Sequence, residues 1–208
     1  MKKDKLQIEL YPKIYQTYLN KEKELIIDFL KNSDSILDVG CGTGRLIPTL
    51  AKLVKKYVGV EINDEYLKIA RQVSRKFKNT KTIKLNAENL SRKFNEDQFD
   101  KTIACWNTIG CLKNDKKSIK EISKVTKNKF FFTILPKGTL EKRIDYYNKL
   151  SIKYDIVDRE KEIIKSKEWG LVRAYSKQDI KNLIQHTSFK IEKIKLINNI
   201  AFAVYLTK

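Results

Sequence analysis

One run of the chain, Ile36-Leu37-Asp38-Val39-Gly40-Cys41-Gly42-Thr43-Gly44, constrains its fold more than any other feature. A short apolar stretch leads into glycines at alternate positions. Backbone without Cβ atoms turns tightly and lets a ligand approach the main chain. A helix opening directly afterwards presents unpaired N–H groups to whatever is bound there. A simple tight turn needs one glycine, so the spacing specifies a strand, a ligand-binding loop and a helix. Such a unit begins an α/β domain with a nucleotide site.

The rest of the chain continues the alternation of apolar runs and amphipathic stretches that a mainly parallel sheet requires. A helix is predicted over Ile14 to Leu30, then strand Ser35 to Val39, and a helix from Arg45 to Lys56 with Pro48 in its first turn. Strand Tyr57 to Glu61, helix Asp64 to Phe77 and strand Thr82 to Leu85 follow. Then come strand Phe99 to Cys105, helix Asp115 to Thr126 and strand Lys129 to Leu135. Ser176-Lys177-Gln178-Asp179 has capping-box form and opens a last helix to about His186. Ile191 to Ile197 and Ile200 to Leu206 close the sheet as a hairpin across Asn198-Asn199. One segment, 136–175, breaks the pattern with Tyr146, Tyr147, Tyr154, Trp169 and Tyr175 among many charges; within it Ile152, Tyr154 and Ile156 alternate like a strand that Glu162 to Lys167 can pair with. The expectation is a single domain over 1–208, with residues 1–32 as a helical cap and 136–175 as an insert.

Composition narrows the chemistry. Cys41, Cys105 and Cys111 suit neither a zinc site nor a disulfide framework and read as reduced thiols. His186 is the only histidine, which argues against a His-built metal centre or a Ser/His/Asp triad, and no metal is expected. Met1-Lys2-Lys3-Asp4-Lys5 opens no signal-peptide core, and no apolar run reaches the roughly 18 residues of a membrane span, so a cytoplasmic protein without membrane association is expected. Net charge is +19, with 37 lysines against 7 arginines. The excess admits a nucleic-acid partner, but bidentate phosphate recognition favours Arg, and a solvated basic surface accounts for the same numbers.

Among nucleotides, a dinucleotide loop needs a sixth-position glycine where Arg45 stands, and a P-loop needs Gly-Lys-Ser/Thr, which is absent. The run Leu37-Asp38-Val39-Gly40-Cys41-Gly42-Thr43-Gly44 instead resembles the first motif of class I S-adenosylmethionine-dependent methyltransferases, and the similarity extends from about Leu10 to the C-terminus, weakening after Pro136. It implies a three-layer Rossmann-like α/β fold: a seven-stranded, mostly parallel sheet in order 3-2-1-4-5-7-6 with strand 7 antiparallel. It also implies S-adenosylmethionine as cofactor and S-adenosylhomocysteine as product. Asp38, Gly40, Cys41, Gly42 and Gly44 would hold the methionine part, and Glu61, ending the second strand, the ribose hydroxyls. Ile62 resembles the residue on the adenine face. Asn86-Ala87-Glu88-Asn89-Leu90 is similar to the third motif, with Asn86 replacing the Asp that meets the adenine amino group; an Asx turn explains the same residue. Cys105 and Trp106 stand where the fourth motif faces cofactor and acceptor, Trp106 being equally suited to a core.

Methyl transfer needs a positioned nucleophile and a dry site more than a dedicated catalytic side chain. The candidates are Asn107 and Tyr15 for catalysis, with Tyr11, Asn107, Thr108, Trp169 and Arg173 for the acceptor. Tyr11, Tyr15 and Tyr18, at i, i+4, i+7, also fit a helical packing stripe. The residues after Trp106 do not read Asn/Asp-Pro-Pro-Tyr/Phe, which argues against amino methylation of nucleic-acid bases. The leading expectation is a methyltransferase, monomeric or dimeric, acting on nitrogen or oxygen of a small metabolite. An RNA methyltransferase using the basic surface and a non-catalytic cofactor-binding partner subunit stand as alternatives.

Overall fold

The computed structural model describes residues 9, 11–166 and 169–208. The N-terminal residues read above for a leader, together with Leu10 and Lys167, therefore lie outside the described residues.

The chain runs α1 (Lys13–Phe29), β1 (Ser35–Val39), α2 (Ile47–Leu50), β2 (Lys56–Glu61), α3 (Asp64–Ser74), β3 (Thr80–Lys84) and a 3-10 turn (Ala87–Arg92). Then come β4 (Phe99–Ala104), α4 (Thr108–Cys111), α5 (Asp115–Val125), β5 (Thr126–Ile134) and α6 (Leu140–Lys149). The chain ends with β6 (Tyr154–Asp158), β7 (Ile163–Ser166), β8 (Gly170–Val172), α7 (Lys177–Ile184), β9 (Lys190–Ile197) and β10 (Ala201–Thr207). Seven strands form one sheet in the order β3-β2-β1-β4-β5-β10-β9, with β10 antiparallel to both neighbours. This is the order and the antiparallel strand that the motif resemblance implies.

Alternation along the strands builds two cores. Ile36, Ile103, Phe131 and Ala203 face one side of the sheet, packing with α1, α2 and Tyr146 and Tyr147 of α6. Leu37, Phe130, Phe132 and Val204 face the other, against α5 and α7. All three phenylalanines of β5 are fully buried, each worth about 1.5–3 kcal/mol of transfer free energy. The chain makes its final turn through Asn198 and Asn199, both with positive φ (48° and 53°), and Ile200 N–H closes it onto Ile197 C=O at 2.9 Å. Both positions lie in the left-handed region, which asparagine tolerates. The capping box at Ser176 and Asp179 forms in both directions, though α7 ends at Ile184, short of His186.

The helix expected over Arg45 to Lys56 is instead one turn, Ile47–Leu50. The cause is downstream: Lys55 and Lys56 N–H both bond Asp34 C=O, so the chain is already entering β2. Asn79 Nδ2 takes up the carbonyls of Ala51 and Val54 that a longer helix would have used, at 2.8 and 2.9 Å. Between β5 and α7 the chain forms α6 and an antiparallel sheet β6-β7-β8, including the anticipated pairing of β6 with β7. No helix among the described residues is long and apolar enough to cross a membrane.

Candidate active site

The ends of β1, β2 and β4 open onto a cavity of about 450 Å³, within the roughly 300–1,000 Å³ typical of small-molecule sites. Gly40 has φ +71°, and a Cβ there would sit 2.5 Å from Thr108. Gly42 has φ +56° and nothing within 4 Å of its missing Cβ, so the loop leaves open space on its cavity side. Glu61, ending β2, stands beside the loop. Its Oε2 accepts Gly42 N–H at 3.0 Å, and its Oε1 accepts Ile62 and Asn63 N–H at 2.8 Å each. Three amides therefore orient this carboxylate and leave one lone-pair site, on Oε2, for a ligand. Ile62 stands 57% exposed at the rim, an apolar plate in water. Asp38 is buried beneath the loop, where burial pushes its carboxyl up to about 7 against the opposing pull of the Tyr57 hydroxyl, which donates to Oδ2 at 2.7 Å. The loop's open backbone, the oriented carboxylate and the apolar plate fit an adenosyl ligand.

A buried carboxylate behind the cavity organises its floor. Glu22 of α1, fully buried, accepts from Tyr18 Oη (2.7 Å), Trp106 N–H (2.9 Å) and Thr133 Oγ1 (2.5 Å) through Oε1. Its Oε2 pairs with Arg45 Nη2 at 2.7 Å. Through these bonds the first helix ties the residue after the glycine loop to the ends of β4 and β5. Trp106 and Asn107 are consecutive non-glycine residues with positive φ, 53° and 58°, a conformation that costs free energy and is held here by the surrounding bonds.

Beyond Trp106 lies a second, smaller chamber of about 90 Å³, walled by Tyr15, Tyr18, Tyr146, Tyr147 and Trp169 with Arg143 among them. Both cavities share Trp106, Cys111 and Trp169 as lining. Tyr11 stacks on Trp106 with ring centres 5.9 Å apart, and Tyr146 stacks on Trp169 at 6.3 Å.

A family model described as a methyltransferase domain matches residues 30–188, well over half of the chain. The chain belongs to the methyltransferase domain family. A relative from Methanocaldococcus jannaschii, an uncharacterized protein, is 33% identical over 128 residues, 60% of this chain and 47% of that protein. A tRNA (guanine-N(7)-)-methyltransferase from Clostridium botulinum is 31% identical over 84 residues, 36% of this chain and 39% of that enzyme. The chain thus spans less than half the length of these two curated relatives. Among solved structures, an S-adenosylmethionine-dependent methyltransferase from Clostridium acetobutylicum superposes with a TM-score of 0.70 at 18% identity, covering 98% of this chain and 95% of that one. At that identity the likeness is one of fold, the class I Rossmann-like methyltransferase fold.

In this methyltransferase domain most of the residues singled out from sequence meet at the first cavity: Tyr11, Asp38, Gly40, Cys41, Gly42, Glu61, Ile62, Asn86, Ala87, Cys105, Trp106, Thr108 and Trp169 all line it. Asn86 is also an N-cap, its Oδ1 accepting Glu88 N–H at 2.9 Å, so the Asx turn and the lining role coexist. Others stand elsewhere. A Cβ on Gly44 would strike Ile47 and Ala70, which makes it a packing glycine. The Glu88 carboxylate accepts Asn114 N–H and faces Lys117. Arg173 hydrogen-bonds the carbonyls of Gly110 and Leu112 at the end of α4. Asn107 is engaged by Leu135 N–H and Arg173 C=O, and so ties the backbone together. Tyr15 lines the second chamber; burial pushes its hydroxyl up to about 12, which keeps it protonated at neutral pH and unsuited to act as a base.

Burial also raises all three thiols, Cys111 to about 12, so they are not nucleophiles at neutral pH. Sequence reading missed Glu22, Arg45, Tyr57 and Arg143 as site residues. Glu22 carried a usable signal. It continues the Tyr11, Tyr15, Tyr18 stripe by one more turn, and a charged residue on a buried stripe needs a partner. Arg45 and Arg143 carry no local signal, because their partners come from distant segments.

Proposed function

We propose that this chain is an S-adenosylmethionine-dependent methyltransferase acting on a nitrogen or oxygen of a small metabolite. The observation that carries the proposal is the pair of adjoining cavities, one fitting an adenosyl ligand and the other an aromatic-walled chamber, with Trp106, Cys111 and Trp169 lining both. When bound, S-adenosylmethionine supplies a methyl group on a positively charged sulfur, which passes to a lone pair of the acceptor while the sulfur keeps the electrons of the broken bond. The chain's own residues do the positioning. Glu61 holds the ribose hydroxyls, Ile62 covers the base, and Asp38 with the Gly40–Gly42 backbone receives the methionine end. Tyr11, Trp106 and Trp169 exclude water from the junction, where a nucleophile is oriented rather than activated. The carboxylates of the walls, Asp38 and Glu61, are assigned to the cofactor in this reading, which suits an acceptor that arrives with its lone pair free.

Calorimetric titration tests this reading, using S-adenosylmethionine and S-adenosylhomocysteine with NAD as control. Both adenosyl ligands should bind and NAD should not; Gly42→Val, which adds a branched side chain to the open space at a left-handed position, should abolish that binding. A Gly42→Val protein that folds and binds normally would overturn the loop assignment. A second reading, methylation of RNA, is favoured by the net charge of +19 and by the Clostridium botulinum relative. Tight RNA binding that weakens steeply with salt would support it over the metabolite.

A further inference from the structure

Arg143 of α6 reaches the second chamber with its hydrogen bonding unfinished. Its side chain is 3% exposed. Nη2 donates to the backbone oxygen of Glu162 at 2.8 Å and to Glu162 Oε2 at 3.1 Å, while Nε and Nη1 are buried without an acceptor among the described residues. Glu162 does not finish the job, because its carboxylate also accepts the N–H groups of Gly138 and Thr139. Buried donors of a charged group left unpaired are costly, and native proteins rarely keep them without a purpose. Rings from Tyr15, Tyr18, Trp106, Tyr146, Tyr147 and Trp169 line the chamber beside Arg143, with Asn107, Cys111 and aliphatic side chains between them.

We propose that the methyl acceptor is a small aromatic carboxylate, its ring held among these tyrosines and tryptophans and one carboxylate oxygen on Nη1 of Arg143. The proposal rests on the methyltransferase reading above and gives its acceptor a chemical class. A buried cationic donor without a partner calls for an anionic acceptor, because a charge-assisted bond to a carboxylate is stronger than one to a neutral hydroxyl or carbonyl. A flat ring matches walls that stack and meet edge to face. An aromatic cage alone would also suit an organic cation, but a guanidinium in its wall repels one.

The chain's two tryptophans, Trp106 and Trp169, both line the chamber, so intrinsic fluorescence reports on its occupancy. The protein, first shown by calorimetry to bind S-adenosylhomocysteine, is loaded with it and titrated at matched ionic strength with benzoate, benzamide and benzyltrimethylammonium. Benzoate should saturate with a dissociation constant at least about tenfold below that of benzamide, a difference of about 1.4 kcal/mol, and the cation should not saturate. Arg143→Met combined with Glu162→Gln, which removes both charges of the pair together, should erase that preference while S-adenosylhomocysteine still binds. Should that double variant fail to fold, the three titrations of the unaltered protein decide alone. Equal binding of benzamide, tighter binding of the cation, no saturation by benzoate, or a preference that survives in the folded double variant overturns the proposal and leaves the methyltransferase reading standing. Failure of S-adenosylhomocysteine to bind at all overturns that reading, and the acceptor assignment with it.

Discussion

Three carboxylates do different work at this site, and each predicts a different experiment. Glu61 is held by three amides at the wall of the cavity, with one lone-pair site left on Oε2. Glu61→Ala should weaken S-adenosylmethionine binding by about 1–3 kcal/mol, the usual cost of losing charged hydrogen bonds, and calorimetry measures it directly. Asp38 is strained electrostatically. Its carboxyl lies at about 7 where an ordinary aspartate lies at 3.8, because burial outweighs the Tyr57 hydroxyl. Between those values the folded chain keeps a proton that the unfolded chain releases, so stability falls as pH rises through the window, and the penalty is complete above it. Asp38→Asn should therefore raise the melting temperature at about pH 8, converge with the parent near pH 4, and weaken cofactor binding. A melting series across pH checks the sign; a variant less stable at high pH would contradict it. Glu22 is the structural member. Glu22→Ala strands Arg45 and the Tyr18 and Thr133 hydroxyls, a loss of about 3–5 kcal/mol for a fully buried pair. Arg45 keeps 27% of its side-chain surface exposed, so denaturant titration should find the lower end of that range.

At the scale of elements, legibility followed locality. The first strand, the glycine loop, the capping box and the final hairpin were readable because each depends on neighbours in sequence. Asn198-Asn199 shows it well: Asn199→Val should cost about 1–2 kcal/mol for placing a β-branched residue in the left-handed region, measurable by thermal melting. The short α2 was not readable, since Asn79 and Asp34 curtail it from separate strand ends. The cofactor cavity shares the legibility of the loop, and Glu61 and Ile62 were reachable from their place at a strand end. The second chamber was not. Its walls come from α1, α6 and the residues around Trp106 and Trp169, and only folding brings them together. Arg173 illustrates the limit, a basic residue among aromatics that hydrogen-bonds the end of α4.

For the whole molecule the dominant electrostatic fact is self-repulsion, with 44 basic residues against 25 acidic ones. Like charges at this density disfavour the compact state until ions screen them. The melting temperature should therefore climb as sodium chloride is raised from low to physiological ionic strength. A flat response would mean that the ion pairs already neutralise the field locally.

The Glu22 hub also bears on where this molecule can be divided. The family model spans 30–188, yet Glu22 lies before that span, and β9 and β10 lie after it. A fragment cut at the limits of family similarity would lose the counter-ion of Arg45 and uncover the long edge of β5, where Phe130, Phe131 and Phe132 pair with β10. An unpaired apolar edge invites other chains to join it. Such a fragment should precipitate rather than bind cofactor, so the evolutionary unit recognised by similarity is smaller than the unit that folds.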